Sequence, residues 1–308
     1  TIQTLRYQRT QPAFLARERY AQVLFGNHPY SRIAPTEESV RAMMPDTLRD
    51  FHARYYTPHN SLLVVVGAVS RASLQRALER AFAGWESRPV EHTPHEAPPS
   101  RERRTVHLVD RPGSVQVNLL IGHLAPRPND PDFLPLEVVN TALGGRAGSR
   151  LFMNVREQKG FAYDVGSHLS EHREAGSFSM SAQVRPEVVG EAVEEMLKEV
   201  EVLRRDGITR TELESTQNYL NGTFSIRLST QGGIAGEIVA IEMLELPRDS
   251  METYRERVQA VTPEQVREVV QRHLFPDRMA VVAVGEAEQV RSLLEPFGEV
   301  EVTPAVAQ

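Results

Sequence analysis

The sequence predicts an α+β fold made of duplicated domains, each with a largely antiparallel sheet flanked by helices. Two observations lead to this prediction. Segments of strand type come in hairpins, with segments of helix type grouped between them. A pattern of helix, proline turn and apolar strand also occurs twice along the chain.

The repeated pattern keeps a constant offset of 218 residues. Chance similarity between two helix–strand segments would not be expected to preserve one offset over many positions, so an internal repeat is the better interpretation. The pairs are Arg9 with Arg227, Glu38 with Glu256, Val40 with Val258, Ala42 with Ala260, Pro45 with Pro263, Pro58 with Pro276, and Gly67 with Gly285.

Each copy is predicted to form a helix, a turn and a buried strand. Proline is favoured at the first position of a helix, and Thr262 with Gln265 has the spacing of a capping box around Pro263. The apolar runs Leu62–Val66 and Ala280–Val284 have the length of strands, and a glycine follows each of them.

The repeat predicts a domain organisation. We expect residues 1–88 to be the C-terminal part of a first repeat, 89–104 a proline-rich linker, and 105–308 a complete second repeat. A first unit of about 218 residues that ends near residue 90 would begin about 130 residues before Thr1. The sequence therefore indicates that the natural chain is longer.

The second repeat contains further predicted elements. Thr211 with Glu214 has the spacing of a second capping box, and Pro186 to Arg205 shows an apolar stripe typical of an amphipathic helix. The other predictions are strands at Thr105–Val109, Val115–Gly122, Tyr163–Ser170 and Ser177–Val184, and helices at Phe133–Leu143 and Ser149–Gln158.

Composition excludes several classes of function. The net charge of −6 gives no basic face for nucleic acid, and the absence of cysteine excludes disulfides and thiolate chemistry. No apolar run approaches the roughly 18 residues of a membrane span. These features do not distinguish the bacterial cytoplasm from the periplasm.

Two neighbouring motifs indicate a family. Leu143-Gly-Gly-Arg-Ala-Gly-Ser-Arg-Leu-Phe152 is followed by Val155-Arg-Glu-Gln-Lys-Gly-Phe-Ala-Tyr163, and Asn27-His-Pro-Tyr30 lies near the start of the chain. Together they resemble the pitrilysin/insulinase family of zinc metallopeptidases, with the mitochondrial processing peptidase and its two-subunit bacterial relatives most similar. The resemblance implies two α+β domains that face each other across a chamber for peptide.

The sequence departs from the family at its metal motif. The family holds catalytic zinc with H-x-x-E-H in its first domain, and this chain contains no such motif. The nearest run, His92-Thr-Pro-His95-Glu96, has the wrong order, and its proline would break the helix that must hold both ligands. We therefore expect no metal site and no cofactor in this chain, with zinc in a partner or in the missing N-terminal segment.

By resemblance, Arg156 and Tyr163 match the family's arginine–tyrosine pair, which contacts the scissile carbonyl. Guanidinium and phenol groups are donors that can stabilise an oxyanion beside zinc. Gly144, Gly145 and Gly148 match a flexible loop along which substrate passes. A glycine-rich loop can also hold phosphate, but no Lys-Ser/Thr follows this one.

These features predict a peptide-binding half or non-zinc subunit of a zinc endopeptidase. We expect its partners to be a peptide substrate and a homologous zinc-bearing subunit, or a second copy in a homodimer. The alternatives are a catalytically inactive structural subunit, of the kind found in the core of respiratory complexes, and a protein that holds peptides without cleavage.

Overall fold

The computed structural model describes residues 1–91 and 93–305. The α-helices are α1 Ile2–Thr10, α2 Pro12–Phe25, α3 Glu37–Arg41, α4 Pro45–Tyr55, α5 Arg71–Ala81, α6 Phe133–Leu143, α7 Val189–Asp206, α8 Arg210–Arg227, α9 Gln231–Met243, α10 Ser250–Ala260, α11 Pro263–His273 and α12 Ala287–Leu294. A π-helix spans Phe152–Gln158, and short 3₁₀ turns lie at Pro29–Ser31, Pro58–Asn60, Pro186–Val188, Pro276–Arg278 and Glu295–Phe297.

One six-stranded sheet organises these helices. Its strands are β1 Thr105–Asp110, β2 Val117–Ala125, β3 Ala162–Ser170, β4 Gly176–Val184, β5 Ala280–Gly285 and β6 Val300–Pro304. Their order in the sheet is β3-β4-β2-β5-β1-β6. The pairs β3/β4, β4/β2 and β2/β5 are antiparallel, whereas β1 pairs in parallel with β5 and β6. The predicted α+β fold with a largely antiparallel sheet is confirmed.

The two faces of the sheet are covered by different parts of the chain. Strand β5 is buried throughout, and its side chains alternate between the two faces. Val281 and Ala283 belong to the main core, which α6, α7 and α11 also build. Val282 and Val284 instead pack against α2. A helix from the segment assigned to the first repeat therefore covers one face of the sheet of the second.

The internal repeat is visible in the bounds of the helices. Helix α4 spans residues 45–55 and α11 spans 263–273, which is the same offset of 218 residues found in the sequence. The 3₁₀ turns at Pro58–Asn60 and Pro276–Arg278 keep that offset too. In both helices proline occupies a first-turn position, where its missing N–H leaves no hydrogen bond unmade.

The predicted strand Leu62–Val66 is wrong. These residues form no regular element, and their apolar side chains stay exposed, Leu62 at 48% and Leu63 at 57%. A strand exists only when a neighbour completes its hydrogen bonds, and no strand of the described residues lies beside this segment. The equivalent run in the second repeat has β1 and β2 on its two sides and forms β5.

One of the two predicted capping boxes is present in the structure. Thr262 and Gln265 cap α11 as predicted. The box predicted at Thr211 and Glu214 is wrong, because α8 begins two residues earlier with Thr209 as N-cap and Glu212 as its reciprocal partner. Both threonines precede a glutamate by three residues, so spacing alone could not separate the two registers.

Most other elements predicted for residues 105–308 agree with the structure, with two differences. The predicted helix Ser149–Gln158 is a π-helix from Phe152 to Gln158, and β2 begins at Val117, so the exposed Val115 lies outside it. Helix α6 has the predicted bounds, and the apolar stripe of α7 is fully buried. Between Ala81 and Thr105 the described residues contain no helix or strand. Across the described chain, no helix combines the length and apolar character that a bilayer span requires.

Candidate active site

The two residues predicted to contact substrate lie at one edge of the sheet. Arg156 belongs to the π-helix, and Tyr163 belongs to β3, the edge strand. Gly160 separates the two elements and adopts a positive φ of 63°, a conformation that glycine reaches without steric cost. This turn brings the helix and the strand back alongside each other.

Arg156 and Tyr163 are in contact. The guanidinium carbon of Arg156 lies 5.4 Å from the centroid of the Tyr163 ring and 4.8 Å from that of the Phe152 ring. The attraction of a cation to aromatic faces orients the guanidinium without consuming its N–H donors. The nearest carboxylate, that of Glu157, stands 3.6 Å from Arg156 Nε, beyond hydrogen-bond length.

A β-bulge presents Tyr163 to solvent. Ala162 pairs with Val184 and Val165 with Ala182, so β3 holds one residue more than β4 in this interval. Regular alternation would bury one of the two residues between these pairs, whereas Tyr163 and Asp164 are both exposed. The Tyr163 side chain is 78% exposed, so its hydroxyl is accessible to a ligand.

The glycine-rich loop is hydrogen-bonded to β3, the strand that carries Tyr163. Gly144 accepts a hydrogen bond at its carbonyl from the Ser167 N–H, at 3.1 Å. A Cβ at Gly144 would stand 2.4 Å from Ser167 N, and one at Gly145 would stand 2.8 Å from Thr141 Cα. Gly148 has a positive φ of 81°. Gly144 and Gly145 therefore have a packing reason to be glycine, where the sequence alone suggested flexibility.

A second arginine on the helical segment has a structural role. Arg150 donates to both carboxylate oxygens of Glu212, at 2.7 and 2.9 Å, and to the Gly207 carbonyl at 2.9 Å. Burial would raise the pKa of Glu212, but the hydrogen bonds from Arg150 and from Thr209 lower that pKa to about 2. Arg150 therefore joins the segment to the start of α8.

The described residues do not fit a zinc site. No group of three histidine, aspartate or glutamate side chains within them is placed to hold a metal. His28 is buried, and its nitrogens are engaged by the Tyr30 N–H and the Glu174 carboxylate. The His95 ring meets the His28 ring edge to face, with centroids 5.6 Å apart, and His92 lies outside the described residues.

Some residues around the pair were missed by the sequence analysis. Phe152 precedes Arg156 by four residues, a helical spacing that places two side chains on one face and could have revealed the contact. Asn154 binds two glutamates of α7, and its sequence context gave no sign of this.

The chain belongs to the family of peptidase M16 inactive domains, whose model matches residues 43–220. It is 27% identical over 282 residues to an uncharacterized zinc protease of Streptomyces coelicolor, covering 89% of this chain and 61% of that protein. It thus spans about three fifths of that relative. The alpha subunit of the Bos taurus mitochondrial-processing peptidase is 24% identical over 286 residues, which cover 84% of this chain and 53% of that subunit.

A solved structure supports the same assignment. The crystal structure of a peptidase M16 inactive domain from Pseudomonas fluorescens superposes with a TM-score of 0.84 at 26% identity, covering 91% of this chain and 67% of the other. The resemblance found in the sequence is thereby confirmed. The chain is an inactive-domain portion of a zinc-protease family, and its described residues carry no metal-binding group.

Proposed function

We propose that this chain supplies the peptide-binding half of an M16 zinc endopeptidase, in which Arg156 and Tyr163 donate hydrogen bonds to the scissile carbonyl oxygen. Zinc comes from a separate half or from a homologous subunit. The observation that carries the proposal is the contact between Arg156 and an exposed Tyr163 beside an edge strand.

The chemistry of the pair suits an oxygen that gains negative charge. Arg156 offers a charged guanidinium whose N–H donors remain available, and Tyr163 offers a phenolic O–H. Donors fixed in place before the reaction stabilise a tetrahedral intermediate more than they stabilise the planar peptide. No group of the described residues is placed to hold a metal, so in this proposal the zinc that activates the attacking water is held outside them.

The edge strand offers a way to bind an extended peptide. Only β4 pairs with β3 in the described sheet, and its other side carries unpaired backbone groups. Gly144 occupies that side at Ser167, so pairing with a peptide would concentrate on the bulged part near Tyr163. Main-chain pairing of this kind gives affinity with little dependence on sequence.

The proposal also concerns domain organisation. Residues 1–88 would be the end of a first repeat, 89–104 a linker and 105–308 the second repeat. The matched bounds of α4 and α11 support this division. Exposed apolar side chains support it too, because a repeat without its sheet leaves them uncovered. They include Met44, Leu48, Phe51, Leu62, Leu63, Val65 and Phe82.

The experiment is reconstitution with a zinc-bearing homologue. We expect the mixture to cleave an unstructured peptide, and we expect Arg156→Ala to lower kcat by about 100-fold, as for loss of one oxyanion donor. Tyr163→Phe should lower kcat as well, with KM changed little. Arg210→Ala is the matched control, because Arg210 is an exposed arginine that pairs with Glu214 away from Tyr163.

The outcomes separate the proposal from its alternatives. Cleavage that is unchanged by Arg156→Ala and Tyr163→Phe would contradict the assigned roles. Peptide binding without cleavage in any mixture would favour a peptide-holding protein. Neither binding nor cleavage would favour a structural subunit.

A further inference from the structure

The π-helix at Phe152–Gln158 calls for a physical explanation. Seven residues wound with i+5 hydrogen bonds are rare, because this geometry packs the helix axis less well than an α-helix does. The Lys159 N–H reaches the Asn154 carbonyl five residues earlier at 3.0 Å, and just beyond the helix the Phe161 N–H reaches the Val155 carbonyl, six residues earlier, at 2.9 Å. Contacts outside the helix must offset the cost of this winding.

Asn154 makes the contacts best placed to do so. Its amide nitrogen donates to Glu199 Oε1 at 2.7 Å and to Glu195 Oε2 at 3.0 Å. Both acceptors project from the polar side of α7, and hydrogen bonds to ionised carboxylates are stronger than neutral ones. The bond from Asn154 is the largest influence holding the pKa of Glu195 below its ordinary value.

The end of the π-helix is tied to the same acceptor. Lys159 Nζ lies 3.3 Å from Glu195 Oε1, and Lys159 is also the residue whose N–H closes the wide turn on Asn154. Glu195 of α7 therefore contacts both Asn154 and Lys159, the two ends of this wide turn. That turn contains Arg156, whose side chain leaves it toward Phe152 and Tyr163.

We propose that Asn154 is a positioning residue that holds the π-wound turn on Glu195 and Glu199, so that Arg156 faces Tyr163. Without the Asn154 amide, the turn can relax toward α-helical winding. An α-helix places successive residues about 100° apart, so losing the extra residue of the wide turn would rotate Arg156 away from β3. The role of Arg156 in catalysis rests on the proposed function, whereas its orientation does not.

The first test uses the whole chain alone and needs no activity. The Arg156 Nε–Hε signal in a ¹⁵N–¹H spectrum is assigned by its loss in Arg156→Lys. We expect this signal to lie away from those of exposed arginines, because two rings face the guanidinium. Asn154→Ala and Glu199→Ala should each move it to the exposed position.

A neighbouring residue supplies the matched control. Lys198 precedes Glu199 and contacts Glu195 at 3.3 Å, but it makes no bond to the π-helix within the described residues. Lys198→Ala should therefore leave the Arg156 signal in place. If Asn154→Ala fails to fold, as judged by its melting curve, Asn154→Asp tests the proposal instead. It keeps the size of the side chain but places a third carboxylate beside those of Glu195 and Glu199. An Arg156 signal unmoved by Asn154→Asp and Glu199→Ala would overturn the proposal.

The second test uses the reconstituted zinc enzyme. Asn154→Ala should lower kcat by about 10- to 100-fold with KM nearly unchanged, as expected when a group that acts on the transition state is misplaced. In the Arg156→Ala background the same substitution should cost almost nothing further, and a full additional loss there would contradict the proposal. If Arg156→Ala itself has no effect, the proposed function fails, and the spectrum alone still decides the positioning.

Discussion

At the residue scale, the two arginines of the helical segment are held in opposite ways. Arg150 donates hydrogen bonds to Glu212 and to the Gly207 carbonyl, so few of its N–H groups remain for a ligand. Arg156 is held by the faces of Phe152 and Tyr163, and within residues 1–91 and 93–305 no carboxylate pairs with it in a bidentate way. Two identical side chains six residues apart thereby gain a structural role and a proposed functional role.

Glu137 gives a prediction about pH. Its carboxylate accepts a hydrogen bond from the Tyr254 hydroxyl at 3.0 Å, and Glu171, Glu237 and Arg227 are its charged neighbours. Burial raises the pKa of Glu137 to about 7. The unfolded chain ionises this group more readily, so the contribution of Glu137 to wild-type stability falls as the pH rises from about 4.5 through about 7.

Glu137→Gln should remove this loss. We expect the difference in free energy of unfolding between variant and wild type to favour the variant by on the order of 2 kcal/mol more at pH 8 than at pH 5. Urea unfolding at both pH values measures it. Glu187→Gln, at an exposed carboxylate, is the control. A difference that is the same at both pH values would refute the assignment.

At the element scale, two single-residue irregularities stand on either side of Gly160. The π-helix winds one residue wider per turn than an α-helix, and the bulge adds one residue to β3. Both redirect a side chain toward the same point, Arg156 from one side and Tyr163 from the other. Irregularities of this kind are costly, and proteins keep them where a side chain has to be aimed.

Gly144 is predicted to be indispensable to this arrangement. A Cβ there would meet the backbone nitrogen of Ser167 at 2.4 Å, and backbone cannot move aside as a flexible side chain can. We expect Gly144→Ala to destabilise the protein by about 1–3 kcal/mol, as overpacking does. Gly222→Ala should instead stabilise by roughly 0.5–1 kcal/mol, because Gly222 lies inside α8 with open space around it.

Thermal and urea unfolding of the two glycine variants test this pair. Equal effects of Gly144→Ala and Gly222→Ala would show that the loop does not press on β3. Destabilisation by Gly144→Ala together with a moved Arg156 signal would show that the loop also supports the site.

At the scale of the whole molecule, the six-stranded sheet is covered on both faces, and the N-terminal segment contributes one of the covers. Helix α2 buries Leu15, Tyr20 and Leu24 against it. The helices that follow in the N-terminal segment, α3 to α5, bury no apolar residue. Helix α2 and the region from α3 to α5 therefore differ sharply in how much packing stabilises them.

This difference predicts hydrogen exchange. In the described structure the amides of 62–66 donate to no carbonyl, whereas the same positions of the repeat form the buried strand β5. We expect residues 62–66 of the isolated chain to exchange at nearly unprotected rates and Ala280–Gly285 to exchange by global unfolding. Mass spectrometry of the exchanged chain measures both at once. Slow exchange at 62–66 would show that the segment pairs in solution.

Elements that depend on neighbouring residues could be predicted from the sequence, and elements that depend on distant contacts could not. The heptad-like stripe of α7, the caps of α11 and the helix from Phe133 to Leu143 depend on neighbours along the chain, and all were predicted. Leu62–Val66 was not, because strand formation depends on a partner far away in sequence. Thr211 and Thr209 have the same local pattern, and the contact of Glu212 with Arg150 favours the earlier start.

The sequence by itself indicated the family and predicted the repeat and the candidate residues Arg156 and Tyr163, since all of these depend on residue identity and spacing. Only the tertiary structure decided that α2 covers one face of the sheet, that Gly144 lies close against Ser167, and that Asn154 in the π-helix bonds Glu195 and Glu199. Each of these is a contact between segments distant along the chain. Local propensities do not encode such contacts, because many packings satisfy the same local pattern and only one buries all the apolar surface together.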